Sequence, residues 1–261
     1  MQNVAAMLNQ FAEGDASHSI ETPENWMQGR TLLGGVTAAL QVHAARRSFP
    51  DLPPLRSAQF NFVGPATDDL TFTPTLLRRG RNSAVVSVDC TNPAGVAARA
   101  LLTFAAARDS AVRHDDRPAP NVPDPAECEN YRQPGFRRAG GFPDNFELRK
   151  VGGARPMDGG TPEIFVWSRL VEDAGVSPEL LMLLLGDGIP PAAMVLYPER
   201  RPVSTMTWAV DYFQPLDRTG WHLLQSFSEQ AADGYSLQGT DIWDTAGRRV
   251  ATARQVVALF A

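Results

Sequence analysis

The chain has 261 residues, 43% of them apolar, and a formal net charge of −5. That length suits one large domain or two small ones, with apolar residues enough for a sizeable core. The charge is spread without a basic stripe, which argues against nucleic-acid binding. The two cysteines, Cys90 and Cys128, have neither metal-ligand spacing nor a paired framework, so a reduced, cytoplasmic setting is expected.

The first residues have no basic start and no long apolar run, so neither a signal peptide nor a membrane-spanning segment is expected. They suit a short amphipathic helix with Val4, Met7, Leu8 and Phe11 on one side. A short strand with a turn follows over His18 to Trp26. Next, Gly34 and Gly35 open a helix over Val36 to Arg47. Its Val36, Ala39, Leu40, His43 and Ala44 share one face. The glycines let a ligand approach the backbone and leave helix N–H groups to hold one of its oxygens. Replacing Gly35 by Val is therefore expected to block a ligand while leaving the fold intact. Four strands come next, over residues 56–63, 70–78, 83–90 and 96–106, separated by turn residues such as Gly64-Pro65 and Asn92-Pro93-Ala94-Gly95.

From residue 108 to 160 prolines, glycines and charges accumulate, and this stretch reads as a connection over the surface. The pattern returns with a strand over 163–170. An apolar helix follows over 177–186, with Ser177 at its N-cap and Pro178 at its first position. Four more strands cover 204–213, 221–229, 234–243 and 248–260. The halves match in order. Asn92-Pro93-Ala94-Gly95 parallels Asp244-Thr245-Ala246-Gly247, and Phe62-Val63-Gly64-Pro65 parallels Tyr212-Phe213-Gln214-Pro215. A duplicated unit of strand, helix and antiparallel meander is expected, with the helix covering the sheet. The division is 1–107, a linker over 108–160, and 161–261.

These residues resemble the TesB-like type II acyl-CoA thioesterases across nearly the whole chain. Leu33-Gly34-Gly35 matches the family's Phe-Gly-Gly motif opening the central helix. Ser57-Ala58-Gln59-Phe60-Asn61-Phe62 with Pro65 matches its Ser-x-His-x-x-Phe-x-x-Pro strand, with Gln59 at the histidine. Leu77-Arg78-Arg79-Gly80-Arg81-Asn82-Ser83 matches its Leu-Arg-x-Gly-x-Ser turn. Gly247 to Gln255 matches its closing Gly-x-Leu-Val-Ala-x-x-x-Gln. The resemblance implies an α+β double hotdog, in which two tandem units share a long antiparallel sheet wrapped around two central helices. It implies hydrolysis of acyl-CoA thioesters by an activated water, with no metal or other cofactor, no nucleic-acid partner, no membrane and a homo-oligomeric state.

In that family three side chains hold the water: an Asp in the strand before the second-half Phe-His-Arg-Pro, a Thr or Ser after the next strand, and the Gln of the final strand. Gln255 matches the glutamine. Thr207, or Trp208 when the strand is aligned on Phe213 instead of Pro215, stands where the family has Asp, so Asp211 or Glu229 is left to supply a base. Asp187 is open to two readings, as a group facing the same cleft as Gly34 or as a helix-end turn residue. Gly34, Gly35, Gln59 and Arg81 are the candidate substrate contacts, with Arg81 placed to meet CoA phosphates. The departure at Thr207 keeps a second reading open, a non-catalytic binder of acyl thioesters or other hydrophobic ligands that has lost its base.

Overall fold

The computed structural model describes residues 2–132, 141–213, 216 and 220–260. Pro134, in the linker, and Gln214 and Pro215, read as the end of a strand, lie outside them. The helices are α1 (Val4–Leu8), α2 (Gly34–Ser48) and α3 (Pro178–Asp187). The strands of the first half are β1 (His18–Glu21), β2 (Met27–Gln28), β3 (Thr31–Leu32), β4 (Leu55–Phe62), β5 (Asp69–Arg79), β6 (Ser83–Asn92) and β7 (Gly95–Ala105). Those of the second are β8 (Phe146–Gly153), β9 (Glu163–Leu170), β10 (Val203–Tyr212), β11 (His222–Ala232), β12 (Tyr235–Trp243) and β13 (Arg249–Leu259).

Except for the small β2–β3 hairpin, the strands form one antiparallel sheet ordered β1-β5-β6-β7-β4-β10-β13-β12-β11-β9-β8. The order inverts about the β4–β10 seam, where Phe60 pairs with Trp208 and Gln59 with Ala209. This is the double hotdog, with a pseudo-twofold between the first strand after each helix. Alternation sets the faces. In β6, Ala84, Val86, Val88 and Cys90 are buried while the residues between them keep some exposure. The buried side faces the helices.

The helices cross antiparallel. Near the start of α3, the Arg46 guanidinium of α2 donates to both Glu179 oxygens, at 2.8 and 2.7 Å. At the other end, Gly35 lies against the last turn of α3. A Cβ on Gly35 would sit 2.7 Å from the Leu183 carbonyl oxygen and 2.8 Å from the Asp187 Cβ. Glycine is required there so that the two helices can touch, which overturns the expectation that Gly35→Val leaves the fold intact. α3 stops after 10 residues where α2 runs 15, because Pro190 and Pro191 cannot continue a helix.

Two other expectations change. The stretch Pro178–Leu196 is long and apolar enough to span a membrane, with a mean hydropathy of 1.5. Here it is α3 plus a short 3₁₀ turn over Ala192–Leu196, and its apolar side chains are mostly buried in the core. The stretch 108–160 also contains a strand, β8, which pairs with β9 at the sheet edge and buries Phe146 and Leu148. Glycine and proline on either side mask so short a period-two pattern. Earlier in this stretch the chain lies over the outer face of the second unit. Trp167 Nε1 donates to the Pro123 carbonyl and Trp243 Nε1 to that of Arg117.

Gly35→Ala is expected to lower the unfolding free energy by about 1–3 kcal/mol, the scale of forced overpacking in a close-packed interior. Gly64→Ala, where the nearest non-neighbouring atom to a new Cβ is 3.5 Å away, should stay within about 0.5 kcal/mol of wild type. Urea denaturation of both variants checks this; a neutral Gly35→Ala would mean the helices part freely.

Candidate active site

The helix crossing leaves a carboxylate at its open end. Asp187 terminates α3, and its Oδ2 accepts a 2.6 Å hydrogen bond from the Gly35 N–H at the start of α2. Gln255 of β13 also acts on this carboxyl, pulling its pKa down. The Asp187 residue keeps part of its surface open, while Gln255 is buried. Gln255 sits directly opposite Trp208 on one side and Gln238 on the other. Trp208 closes the floor; a Cβ on Gly186 would meet its ring at 3.1 Å.

Burial raises the Asp187 pKa to about 7, while the Gly35 N–H and Gln255 amide pull it down. Taking a carboxylate out of water without a cation beside it disfavours ionisation, and donated hydrogen bonds recover only part of that cost. A base with a pKa near 7 can exchange a proton with water at neutral pH.

A β-bulge between Thr205 and Thr207 changes which threonine lies on the inner face. Thr207 lies outward and exposed, opposite Val256. Thr205 lies opposite the fully buried Val257, on the same inner face as Gln255. Alternation from Thr207 misses Thr205, because the extra residue resets the register.

The other expected site residues are placed elsewhere. Asp211 and Glu229 are exposed and line an outer-face cleft of about 370 Å³, across the sheet from the buried Gln255. Glu229 is paired there with Arg254 at 2.6 Å. The period-two pattern explains why: Arg254 and Gln255 are neighbours in sequence and so point to opposite faces. Gln59 is exposed on β4. Arg81 is exposed in the β5–β6 turn. Its neighbour Arg79 pairs with Asp51, just past the C-terminal end of α2 and so at the end opposite Gly35. Gly34 does border the carboxylate: a Cβ there would lie 3.1 Å from Asp187 Oδ2 and 3.2 Å from the Phe62 ring. The Gly35 N–H is taken by Asp187 rather than left for a ligand. His43 is a packed histidine; its Nε2–H donates to the Leu8 carbonyl, and burial lowers its pKa to about 4.

The raised pKa has a signature in stability. Between pH 4 and 7 folded Asp187 holds a proton that the unfolded chain releases, so its ionisation opposes folding increasingly across that window and uniformly above it. The melting temperature of wild type relative to Asp187→Asn should fall between pH 4 and 7 and then level. A constant difference would place the Asp187 pKa near that of an ordinary carboxyl.

Comparison with known proteins agrees with this fold. Residues 22–105 match the acyl-CoA thioesterase N-terminal domain and residues 125–259 the acyl-CoA thioesterase C-terminal domain. No curated protein matches the sequence. Among solved structures, a conserved hot dog fold protein of unknown function from Alicyclobacillus acidocaldarius superposes with a TM-score of 0.88 at 19% identity, over 100% of this chain and 99% of that one. The tesB protein of Mycobacterium avium subs paratuberculosis gives 0.79 at 17%, over 98% and 97%. The acyl-CoA thioesterase II TesB2 of Mycobacterium marinum gives 0.74 at 19%, over 93% and 92%. These structures share the fold, and the two domain matches, in order and over most of the chain, go further: the protein belongs to the acyl-CoA thioesterase family.

Proposed function

We propose that this protein hydrolyses acyl-CoA thioesters with a water activated by Asp187. The observation that carries the reading is a carboxylate at the junction of the two units, accepting from the Gly35 N–H at 2.6 Å and acted on by Gln255, with burial raising its pKa. Ionised Asp187 takes a proton from water as the water oxygen bonds to the thioester carbonyl carbon. The tetrahedral adduct collapses, the carbon–sulfur bond breaks, and the departing thiolate takes that proton back from Asp187. The products are the carboxylic acid and free CoA thiol. Gln255 orients the carboxylate, and Thr205 offers a hydroxyl to the water from the neighbouring strand. The binder reading rested on the departure at Thr207; Asp187 gives the hydrolase reading a candidate base in its place.

A thiol-release assay across acyl-CoA chain lengths tests this. Asp187→Asn should lower kcat about 100-fold or more, the scale of losing a general base. Gln255→Ala should lower it about 10-fold or more. Asp211→Asn and Glu229→Gln, on the outer face, should leave it unchanged. Because Asp187 acts ionised, kcat/KM should rise with pH through about 7 and then level. Full activity in Asp187→Asn would overturn the assignment.

A further inference from the structure

The orientation of the Gln255 amide is fixed by a chain of hydrogen bonds that begins at a backbone N–H. The Ala192 N–H donates to Gln238 Oε1 at 2.6 Å. A backbone N–H can only donate, so the Gln238 atom facing it must be oxygen. Gln238 Nε2 is then the atom turned toward Gln255, and it donates to Gln255 Oε1 at 2.9 Å. With its oxygen engaged, Gln255 has only its NH₂ left for Asp187. Each step has one allowed direction. Gln238 and Gln255 are both buried and sit directly opposite in the β12–β13 register, so neither amide can turn over without leaving a polar group unpaired.

We propose that Gln238 is a positioning residue: it locks Gln255 with its NH₂ toward Asp187, and so controls the ionisation of the carboxylate without touching substrate. The proposal rests on the reading of Asp187 as the base only for its effect on turnover. Its effect on the carboxyl stands independently. Burial raises the Asp187 pKa, the Gly35 N–H and Gln255 lower it, and none of these three is a charged group. On the elements packed there, Gly34, Gly35, Phe62, Trp208, Gln238 and Gln255 are all non-ionisable. Among the described residues Gln255 is the side chain that pulls the Asp187 pKa down, and the direction its amide faces decides whether it stabilises or opposes the negative charge. The segment between the two anchor points, Asp187 to Ala192, contains Pro190 and Pro191. Their fixed backbone angles hold the Ala192 N–H in place relative to Asp187.

Two variants of near-equal volume test this in the full chain. Gln238→Met removes the lock and leaves Gln255 free to turn over. Gln238→Glu, above the pH at which the introduced carboxyl ionises, can only accept, so there Gln255 must turn its NH₂ toward residue 238 and its oxygen toward Asp187. The Asp187 pKa, followed by carboxyl carbon NMR, should rise in both variants and further in Gln238→Glu. Where turnover is measured, the acid limb of kcat/KM should move up with it, and kcat should fall about 5- to 10-fold, within the range for one polar group at a reacting centre. In a Gln255→Ala background, Gln238→Met should cause no further loss and no further shift, because there is no amide left to orient. An unmoved Asp187 titration in folded Gln238→Met and Gln238→Glu, or additive losses in the double variant, would overturn the proposal and leave Gln238 a structural residue. A shifted titration in a wild-type chain that releases no thiol would instead sink the hydrolase reading and keep this one.

Discussion

The structure depends on one close approach, the contact of Gly35 with the last turn of α3. Two helices covering one continuous sheet need to share a limited space, and a side chain on residue 35 would hold them apart at Leu183 and Asp187. The contact fixes the angle at which the two units meet and closes the core at Trp208 and Phe60, whose rings lie 5.7 Å apart across the seam. It also places the amino-terminal end of α2 beside the carboxyl-terminal end of α3. The Asp187 carboxylate is therefore held by the donor end of one helix while projecting from the acceptor end of another. Packing and chemistry meet at the same atoms, so a change at Gly35 acts on both.

The two units share an architecture but not an interior. In the first, the inner faces of β6 and β7 carry Val86, Val88, Ala100 and Leu102, an apolar core. In the second, the inner faces of β11, β12 and β13 carry a buried polar stripe. Thr240 donates to Ser226, Ser228 pairs with Ser236, and Gln238 donates to Gln255. Buried polar groups are tolerated when each finds a partner, and partnered networks fix orientation in a way apolar packing does not. The first unit supplies a helix terminus and a rigid wall; the second supplies the side chains.

Most of the fold was legible in the sequence because it follows from periodicity. The alternation in β6, the duplicated turn at Asn92–Gly95 and Asp244–Gly247, and the Gly34-Gly35 helix start all survive in the structure. Gln255 was legible from the resemblance of its strand. The carboxylate was not, since Asp187 ends a helix and helix ends commonly carry polar turn residues. A signal was present in local energetics: a carboxylate at the acceptor end of a largely apolar helix is unfavourable with respect to the helix dipole, and such local conflicts concentrate at functional sites. Thr205 was hidden by a bulge that resets the face by one residue. Asp211 and Glu229 were attractive for their charge, but a carboxylate on the wrong face of a sheet is out of reach at any distance along the strand.

The ends of the helix pair also differ in how their charge is balanced. At one end Glu179 meets the Arg46 guanidinium in a two-point ion pair, and Arg46 also donates to the Leu52 and Pro53 carbonyls. That carboxylate is neutralised and fully engaged, which makes it structural. At the other end Asp187 has neutral donors. An arginine there would pin it in the ionised form and leave a base too weak to take a proton from water. Apolar surroundings alone would keep it protonated at neutral pH. The Gly35 N–H and the Gln255 amide in a crowded setting give an intermediate result, a carboxyl whose pKa is raised to about 7. The same helix crossing thus makes one end a clamp and the other a site, and the difference is whether the carboxylate is met by a cation or by amides.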